Sequence, residues 1–511
     1  MTSEPLLSYI RRHLDAAGRL VSEDLQLPDE PPPSDSGLRW APGALDGVMG
    51  HHAVPDDDGR APRVAELLAK AFKRQTRRRL RAIENALVDA SVLGIVDHVL
   101  EELIRTKADA AAVRRVGLWL AGSSPHREPV KMGLALLGIA GLDAHIDVVQ
   151  TLGAHNEFTL FAATALRNGL AKPDSELRAL AASVDGWGRI HCVERLRNTE
   201  DPQIRSWLLR EGYRNSIMYE YTALIAAETG GLLAALGQEP VDRQLLTAAG
   251  EILSALIRGG PTEDIRNYAD GADATERYLT LMQSRAESLD DYLAVAAIRD
   301  FVGADERWAV DLPGWSVGRR DAFDAVCRQI LGQSHWRDRV SGMLESDTGD
   351  SDFWNARTVA HDLGIDTFEA TFRQLDRNPL GFDWFDAWQN ADTDRAMRLT
   401  ELARTRLPLI EIASGPATEL GMGPEWLPHR ALGQSIEALR NHPGIGGDLL
   451  IVGLQSPVTR NRNSALKAFQ QWPAESWPPE VHGLIEAAAA TDPDEGTRDL
   501  AGRVLRGEPP D

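Results

Sequence analysis

Chemistry-bearing side chains collect in one segment, residues 186–221. This segment holds two Trp, three Tyr, one His, one Cys, five acidic residues and six Arg. An imidazole beside carboxylates can transfer protons, and Arg and Tyr side chains are frequent anchors of binding surfaces. The residues that could act on or bind another molecule are Arg189, His191, Glu194, Arg195, Tyr219 and Glu220.

Catalysis by a nucleophile and a base is disfavoured by the spacing. His191 and Cys192 are adjacent, and adjacent residues of a helix point about 100° apart, so the two side chains do not face each other. Cys192 is better interpreted as a small buried apolar residue. Glu194 and Glu220 could form an acid and base pair, but a chain with 76 acidic residues offers such pairs by chance. We assign no catalytic residue.

The sequence predicts neither a metal site nor a cofactor site. His51, His52 and the run Asp56 to Asp58 have metal-ligand side chains, but they lie in a Pro- and Gly-rich stretch with nothing to fix their geometry. The two cysteines form no CxxC motif. Nucleotide-binding, haem-binding and serine-hydrolase motifs are also missing from the sequence.

Charge and hydropathy limit the partners. The net charge is −21, so the average surface field repels nucleic acid and anionic membrane. The longest apolar run, residues 132–142, is too short to cross a bilayer of about 30 Å as a helix. The N-terminus lacks the basic start and apolar core of a secretory signal, and the two unpaired cysteines suit a reducing compartment. We expect a cytoplasmic protein without a membrane span.

The elements that would position these side chains are predicted to be helices. Apolar residues recur at three- and four-residue intervals in an N-terminal amphipathic helix, residues 1–25. A Pro-rich linker or arm, residues 26–63, follows. The remaining chain reads as successive helices of roughly 10 to 16 residues, without alternating β-branched runs.

Two C-terminal segments repeat without gaps. Arg462 and Arg498 each follow a proline by five residues, Pro457 and Pro493, at an offset of 36 residues. The Pro turn, the Arg and the following Ala resemble the HEAT repeat of bacterial HEAT-repeat proteins. Pairs of helices at such a period bury their apolar faces only by stacking.

The resemblance implies an all-α fold, an α-solenoid of HEAT-like helical hairpins. Its expected parts are an N-terminal array at 64–260, an irregular helical region at 261–430 and C-terminal repeats at 431–511. In such folds the inner helix layer forms a concave groove. The six polar residues of 186–221 are our candidates for that groove, although ordinary solvated faces with Arg–Glu pairs remain an alternative.

Function is predicted from this architecture. We expect a scaffold that binds a protein partner in the concave groove, without enzymatic activity. Two alternatives stay open: a nucleic-acid-acting enzyme similar to HEAT-like DNA glycosylases, which the charge disfavours, and a small-molecule enzyme or sensor using the 186–221 cluster.

A second candidate surface lies further along the chain. Trp384 and Trp388 are four residues apart on one predicted helix face. They form either a core stripe or a hydrophobic anchor for a peptide or another copy of the chain.

Overall fold

The computed structural model describes residues 4–22, 25–30, 40–52, 59–142, 144–238, 240–260, 262–304, 312–346, 350–389 and 391–509. These residues form 29 α-helices and no strand, so the predicted all-α class is confirmed. The chain divides into two compact units at Ser334/His335, which lies inside the segment predicted to be irregular. Within the described residues, no helix is both long and apolar enough to cross a bilayer.

The first unit contains eighteen of these helices. In chain order they are α1 (Leu6–Arg12), α2 (Ala44–His52), α3 (Ala61–Lys73), α4 (Arg77–Leu87), α5 (Val92–Arg105), α6 (Ala110–Ser123), α7 (Arg127–Ala140), α8 (Ile146–Gly153), α9 (Asn156–Gly169), α10 (Asp174–Ser183), α11 (Gly186–Arg195), α12 (Pro202–Trp207), α13 (Glu220–Gly230), α14 (Leu232–Leu236), α15 (Arg243–Arg258), α16 (Gly271–Arg285), α17 (Leu289–Gly303) and α18 (Val317–Leu331). A π-helical turn, Leu208–Gly212, continues α12.

The second unit contains the other eleven. They are α19 (His335–Glu345), α20 (Asp350–Asp362), α21 (Phe368–Arg377), α22 (Trp384–Gln389), α23 (Thr393–Arg406), α24 (Leu409–Ile412), α25 (Leu427–Leu439), α26 (Gly447–Leu454), α27 (Thr459–Gln471), α28 (Val481–Thr491) and α29 (Glu495–Leu505).

In the first unit, one row of helices is formed by every second helix of the chain, each packed against the helix two places further on. The contacts run from α3 to α5 and then through α7, α9, α11, α13 and α15 to α17. Buried apolar side chains from Leu6 to Ile225 form one continuous core along this row as far as α13. In the second unit α25, α27 and α29 contact one another in the same way, and α26 packs on α28.

Local sequence explains several helix starts. Asp201 accepts hydrogen bonds from the amides of Gln203 and Ile204, and Pro202 stands at the first helical position, where its missing N–H is not needed. Ser288 and Asp291 form a reciprocal capping box at the start of α17. The Asp201–Pro202 pair is thus a helix cap.

The N-terminal helix is shorter than predicted. It ends at Arg12 instead of extending to residue 25. Beyond it the chain turns, because Asp15 Oδ1 accepts the amides of Ala17 and Arg19 and Gly18 adopts a positive φ of 75°. An Asx turn of this kind competes with helix propagation.

The repeat alignment of the second unit has a structural counterpart. Arg462 Nη1 donates to the carbonyls of Ser456 and Pro457 at 2.9 and 3.0 Å. Arg498 Nη1 donates to the carbonyls of Asp492 and Pro493 at 2.6 and 3.4 Å. In both copies the guanidinium therefore holds the same two positions of the turn that precedes its helix.

Candidate functional site

The arm consists here of residues 25–30 and 40–52, all but Leu25 within the predicted Pro-rich segment 26–63, and it is seated on the row of helices from α3 to α17. Its helix α2 contacts α9, and a β-carbon at Gly47 would overlap the indole of Trp187 in α11. Gly43, with a φ of +72°, lies equally close to the main-chain carbonyl of Asn156. Both positions need glycine because the arm backbone itself makes the contact. The arm was predicted to lack long regular structure, and α2 is a short helix of nine residues.

A buried lysine binds the arm. Lys131 of α7 is only 3% exposed, and its Nζ lies 2.7 Å from Asp46 Oδ2, 3.0 Å from Glu128 Oε1 and 2.8 Å from Glu157 Oε1. Burial opposes the charged form, but the three carboxylates outweigh it and raise the pKa of Lys131. Lys131 is therefore a permanent cation, and the arm supplies one of its three counter-charges.

The earlier part of the arm is held in a similar way. The amide of Arg127 donates to Asp29 Oδ2 at 2.7 Å, and its Nη2 donates to Glu30 Oε2 at 2.7 Å. His155 Nε2 lies 2.9 Å from the carbonyl oxygen of Leu25, and its Nδ1 accepts the amide of Glu157. Helices α7 and α9 thus contact the arm along both of its described stretches.

At the end of α2, His51 meets Glu194 of α11. His51 Nε2 lies 2.7 Å from Glu194 Oε1, and His51 Nδ1 lies 2.8 Å from the carbonyl oxygen of Gly47. Both partners are acceptors, so the two hydrogen bonds together require a protonated ring. The hydrogen bond with Glu194 raises the pKa of His51. Burial works against ionisation of Glu194, but its contacts with His191 and His51 prevail and lower its pKa to about 2.

His191 lies beside this pair, buried in the first unit. The residue is 3% exposed, and neither ring nitrogen makes a hydrogen bond to any residue that the structure describes. His191 Nδ1 approaches Glu194 Oε2 at 3.5 Å without hydrogen-bond alignment, and its ring stacks on His51 with centroids 5.6 Å apart. Burial lowers the pKa of His191, so the ring is neutral at pH 7.

Aromatic side chains enclose the cluster. The rings of Trp187 and Tyr221 lie 5.1 and 5.2 Å from the His51 ring. His52 Nε2 lies 2.6 Å from the hydroxyl oxygen of Tyr221, and Val48 of α2 packs against the same aromatic group. The arm helix is therefore fixed to α11 and α13 by apolar as well as polar contacts.

The structure divides the six candidates from 186–221 into two groups. His191, Glu194 and Arg195 lie together near the arm; Arg195 donates to the His191 carbonyl and to Thr164 Oγ1, both at 2.8 Å. The other three candidates contact residues outside this cluster. These are Arg189, which donates to the carbonyls of Ala181, Val184 and Arg214, Tyr219, which packs edge-on against Tyr213, and Glu220, which pairs with Arg258.

Several residues of this site were not among the sequence candidates. Lys131 carried a signal, because a charged residue inside the apolar stretch of α7 needs a buried counter-charge. His51 and His52 were noticed and set aside, since nothing local fixes their geometry. Asp56 to Asp58 lie outside the described residues.

Neither cysteine is activated for chemistry. Cys192 and Cys327 are both fully buried. Burial disfavours the thiolate and raises the pKa of each to about 12.

The tryptophans of the second candidate surface belong to a core. Trp384 and Trp388 are buried within the apolar cluster of the second unit. Their indole N–H groups donate to the Pro379 carbonyl at 2.8 Å and to Ser435 Oγ at 3.1 Å. Both polar ends are satisfied, so these two side chains have the environment of structural residues.

No protein-family model matches this chain, and no curated protein is similar to it in sequence. The HEAT resemblance therefore rests on the repeat motifs and on the matching turns at Arg462 and Arg498.

Proposed function

We propose that this chain is a HEAT-like α-solenoid scaffold that binds a helical segment of a partner protein on the face formed by α7, α9, α11 and α13. The row of contacts from α3 to α17 supports the solenoid, because stacked hairpins pack each helix on the next but one. The contacts at this face are of the kinds found in recognition surfaces: buried cations, apolar rings and close backbone contacts.

The observation that carries the proposal is the seating of the chain's own arm on this face. Helix α2 brings Asp46 to the buried Lys131, places Gly47 on the ring of Trp187 and packs Val48 into the aromatic group. These contacts support a binding mode in which a short helix places charged and apolar anchors at successive positions on a helical face. A surface that holds one such segment is equipped to hold another.

The arm also defines what the partner segment needs. It needs a carboxylate to reach Lys131 and a residue without a side chain over Trp187, because even a β-carbon would overlap that ring. The partner segment would exchange with the arm, which competes at the high effective concentration of a tethered ligand.

A peptide in trans tests the proposal. In the full-length variant Gly47→Leu the arm helix should leave the face, since the new side chain overlaps Trp187. Gly50→Leu is the matched control, because no atom of the described residues lies within 4 Å of a β-carbon at that position of the same helix. Fluorescence anisotropy would follow the binding of a labelled peptide with the sequence of residues 40–52.

We expect Gly47→Leu to bind this peptide at least about tenfold more tightly than the wild type or Gly50→Leu, whose arms occupy the face. Hydrogen exchange of α2 would show independently that the arm has left. A released arm with no peptide binding would overturn the proposal.

A further inference from the structure

Three metal-ligand side chains converge where the arm meets α11. Nitrogen and oxygen atoms of His51, His191 and Glu194 all lie within 4.8 Å of one another. The closest pairs are His51 Nε2 to Glu194 Oε1 at 2.7 Å and His191 Nδ1 to Glu194 Oε2 at 3.5 Å. A tetrahedral ion with bonds of about 2.0–2.2 Å holds its ligand atoms about 3.4 Å apart, so small side-chain rotations suffice.

Protonation of His51 does not give every polar atom of this cluster a hydrogen-bond partner. Protonation of His51 satisfies His51 and Glu194, yet neither nitrogen of the buried His191 makes an aligned hydrogen bond to a described residue, and its Nδ1 lies 3.5 Å from Glu194 Oε2. A buried polar group without a hydrogen bond is destabilising, because it has lost its contacts with water without replacement. One nitrogen of the neutral His191 ring carries a lone pair, and a bound cation would use it.

The surroundings have the features of a metal site. His51 Nδ1 lies 2.8 Å from the Gly47 carbonyl oxygen, and a histidine that donates one N–H to a carbonyl presents its other nitrogen as a ligand in a fixed orientation. Trp187 and Tyr221 shield the cluster on its apolar side. Glu194 remains 32% exposed at its side chain, which leaves a route for an ion to enter.

The ligand set selects the class of metal. Two imidazoles and one carboxylate suit Zn²⁺ and the neighbouring first-row divalent ions, whereas Mg²⁺ and Ca²⁺ prefer oxygen ligands alone. With three protein ligands, a fourth position stays open to solvent or to another molecule.

We propose that His51, His191 and Glu194 bind one divalent first-row transition-metal ion that fastens the arm helix α2 to α11. The arm supplies one ligand and the helix row supplies two, so metal binding and arm docking stabilise each other. This inference goes beyond the proposed function and does not depend on a partner protein.

The test uses the full-length protein stripped with a chelator and titrated with Zn²⁺ by isothermal calorimetry. We expect one site per chain, and an affinity at least about 100-fold weaker in His51→Ala, His191→Ala and Glu194→Gln. His52→Ala is the matched control, because this neighbour contacts Tyr221 and is not a ligand; its affinity should stay within about threefold of the wild type.

Two further readouts separate ligand loss from misfolding. Zn²⁺ should raise the melting temperature of the wild type and of His52→Ala but not of the near-isosteric Glu194→Gln, whose circular dichroism should remain native. Co²⁺ should give visible absorption bands of a nitrogen- and oxygen-ligated site only when all three ligands are present. Binding with equal affinity in the wild type and in Glu194→Gln, or no binding by the wild type, would overturn the inference.

Metal binding and partner binding can fail separately. If the wild type binds Zn²⁺ while Gly47→Leu fails to bind the arm peptide, the metal site is supported and the proposed function is refuted. The reverse result removes the metal site alone.

Discussion

Lys131 Nζ lies 2.7 Å from Asp46 Oδ2, so a buried cation in the middle of α7 is neutralised in part by a carboxylate of the arm. This pair turns the arm from a linker into a part of the first unit. The stability of α7 and the docking of the arm therefore depend on each other.

Replacing Lys131 with Met should destabilise the first unit by about 3–5 kcal/mol, because three buried carboxylates lose their shared cation. Hydrogen exchange along a urea series, resolved by peptide, would measure the free energy of unfolding of α7 and α9 and the protection of α2. Lys70→Met is the control: Lys70 makes an exposed pair with Glu66, and its loss should cost less than about 0.5 kcal/mol. Equal effects of the two variants would contradict the role given to Lys131.

Arg462→Ala should be far more damaging to the second unit than Arg498→Ala. The Arg462 side chain is 1% exposed and forms a two-pronged pair with the fully buried Asp492, at 2.8 and 2.9 Å. Its removal leaves an unpaired buried charge, at a cost of about 3–5 kcal/mol. Arg498 donates to the equivalent turn carbonyls and has no carboxylate partner among the described residues, so we expect a loss of about 1 kcal/mol.

Chemical denaturation followed by hydrogen exchange of α27 and α29 would give both values. Because the two arginines occupy the same position in consecutive repeats, each variant is the other's control. Similar losses would show that the turn contacts, and not the buried pair, carry the stability.

Much of the helical architecture could be predicted from the sequence because its signals are local. The three- and four-residue apolar spacing, the Asp-Pro cap at Asp201 and the 36-residue offset between Arg462 and Arg498 each act within one or two helices. The aromatic spacing of Trp384 and Trp388 predicted a shared face. It did not decide between core and surface, because that depends on neighbours such as Ser435.

The docked arm could not be predicted, because the contacts that hold it join residues that are distant in the sequence. Helix α2 has only nine residues, too few to be stable in isolation, and it is held by contacts to Lys131, Trp187 and Glu194 that are distant in the chain. No local pattern joins His51 to His191. A metal site assembled from an arm and a helix row therefore has no recognisable spacing in the sequence.

Neither cysteine should react in the folded protein. Cys192 and Cys327 are fully buried, and burial raises the pKa of each to about 12, so at pH 8 they are shielded thiols. Ellman's reagent should detect no fast-reacting thiol in the native chain and two per chain in guanidinium chloride. Rapid native labelling of Cys192 would show that α11 opens, and it would reopen the question of a thiol-based reaction.

The docking of the early arm should weaken on acidification through His155. His155 Nδ1 accepts the Glu157 amide and its Nε2 faces the Leu25 carbonyl, an arrangement that only the neutral ring satisfies. Burial lowers the pKa of His155 below its ordinary 6.5. The unfolded chain therefore takes up a proton first, so this contribution to stability is complete above pH 6.5 and is lost as the pH falls toward the folded-state pKa.

The comparison that isolates this effect is His155→Asn, which keeps a helix-capping oxygen but cannot titrate. Between pH 7.5 and 5.5 the first unit of the wild type should lose more stability than that of His155→Asn, by about 1 kcal/mol, measured by urea unfolding with hydrogen exchange of α9. The titrations of His51 and His191 are common to both proteins and cancel in the difference. His482→Asn, on an exposed part of α28 in the second unit, should leave the first unit's pH dependence unchanged. Parallel pH profiles for the wild type and His155→Asn would show that the neutral ring does not hold the arm.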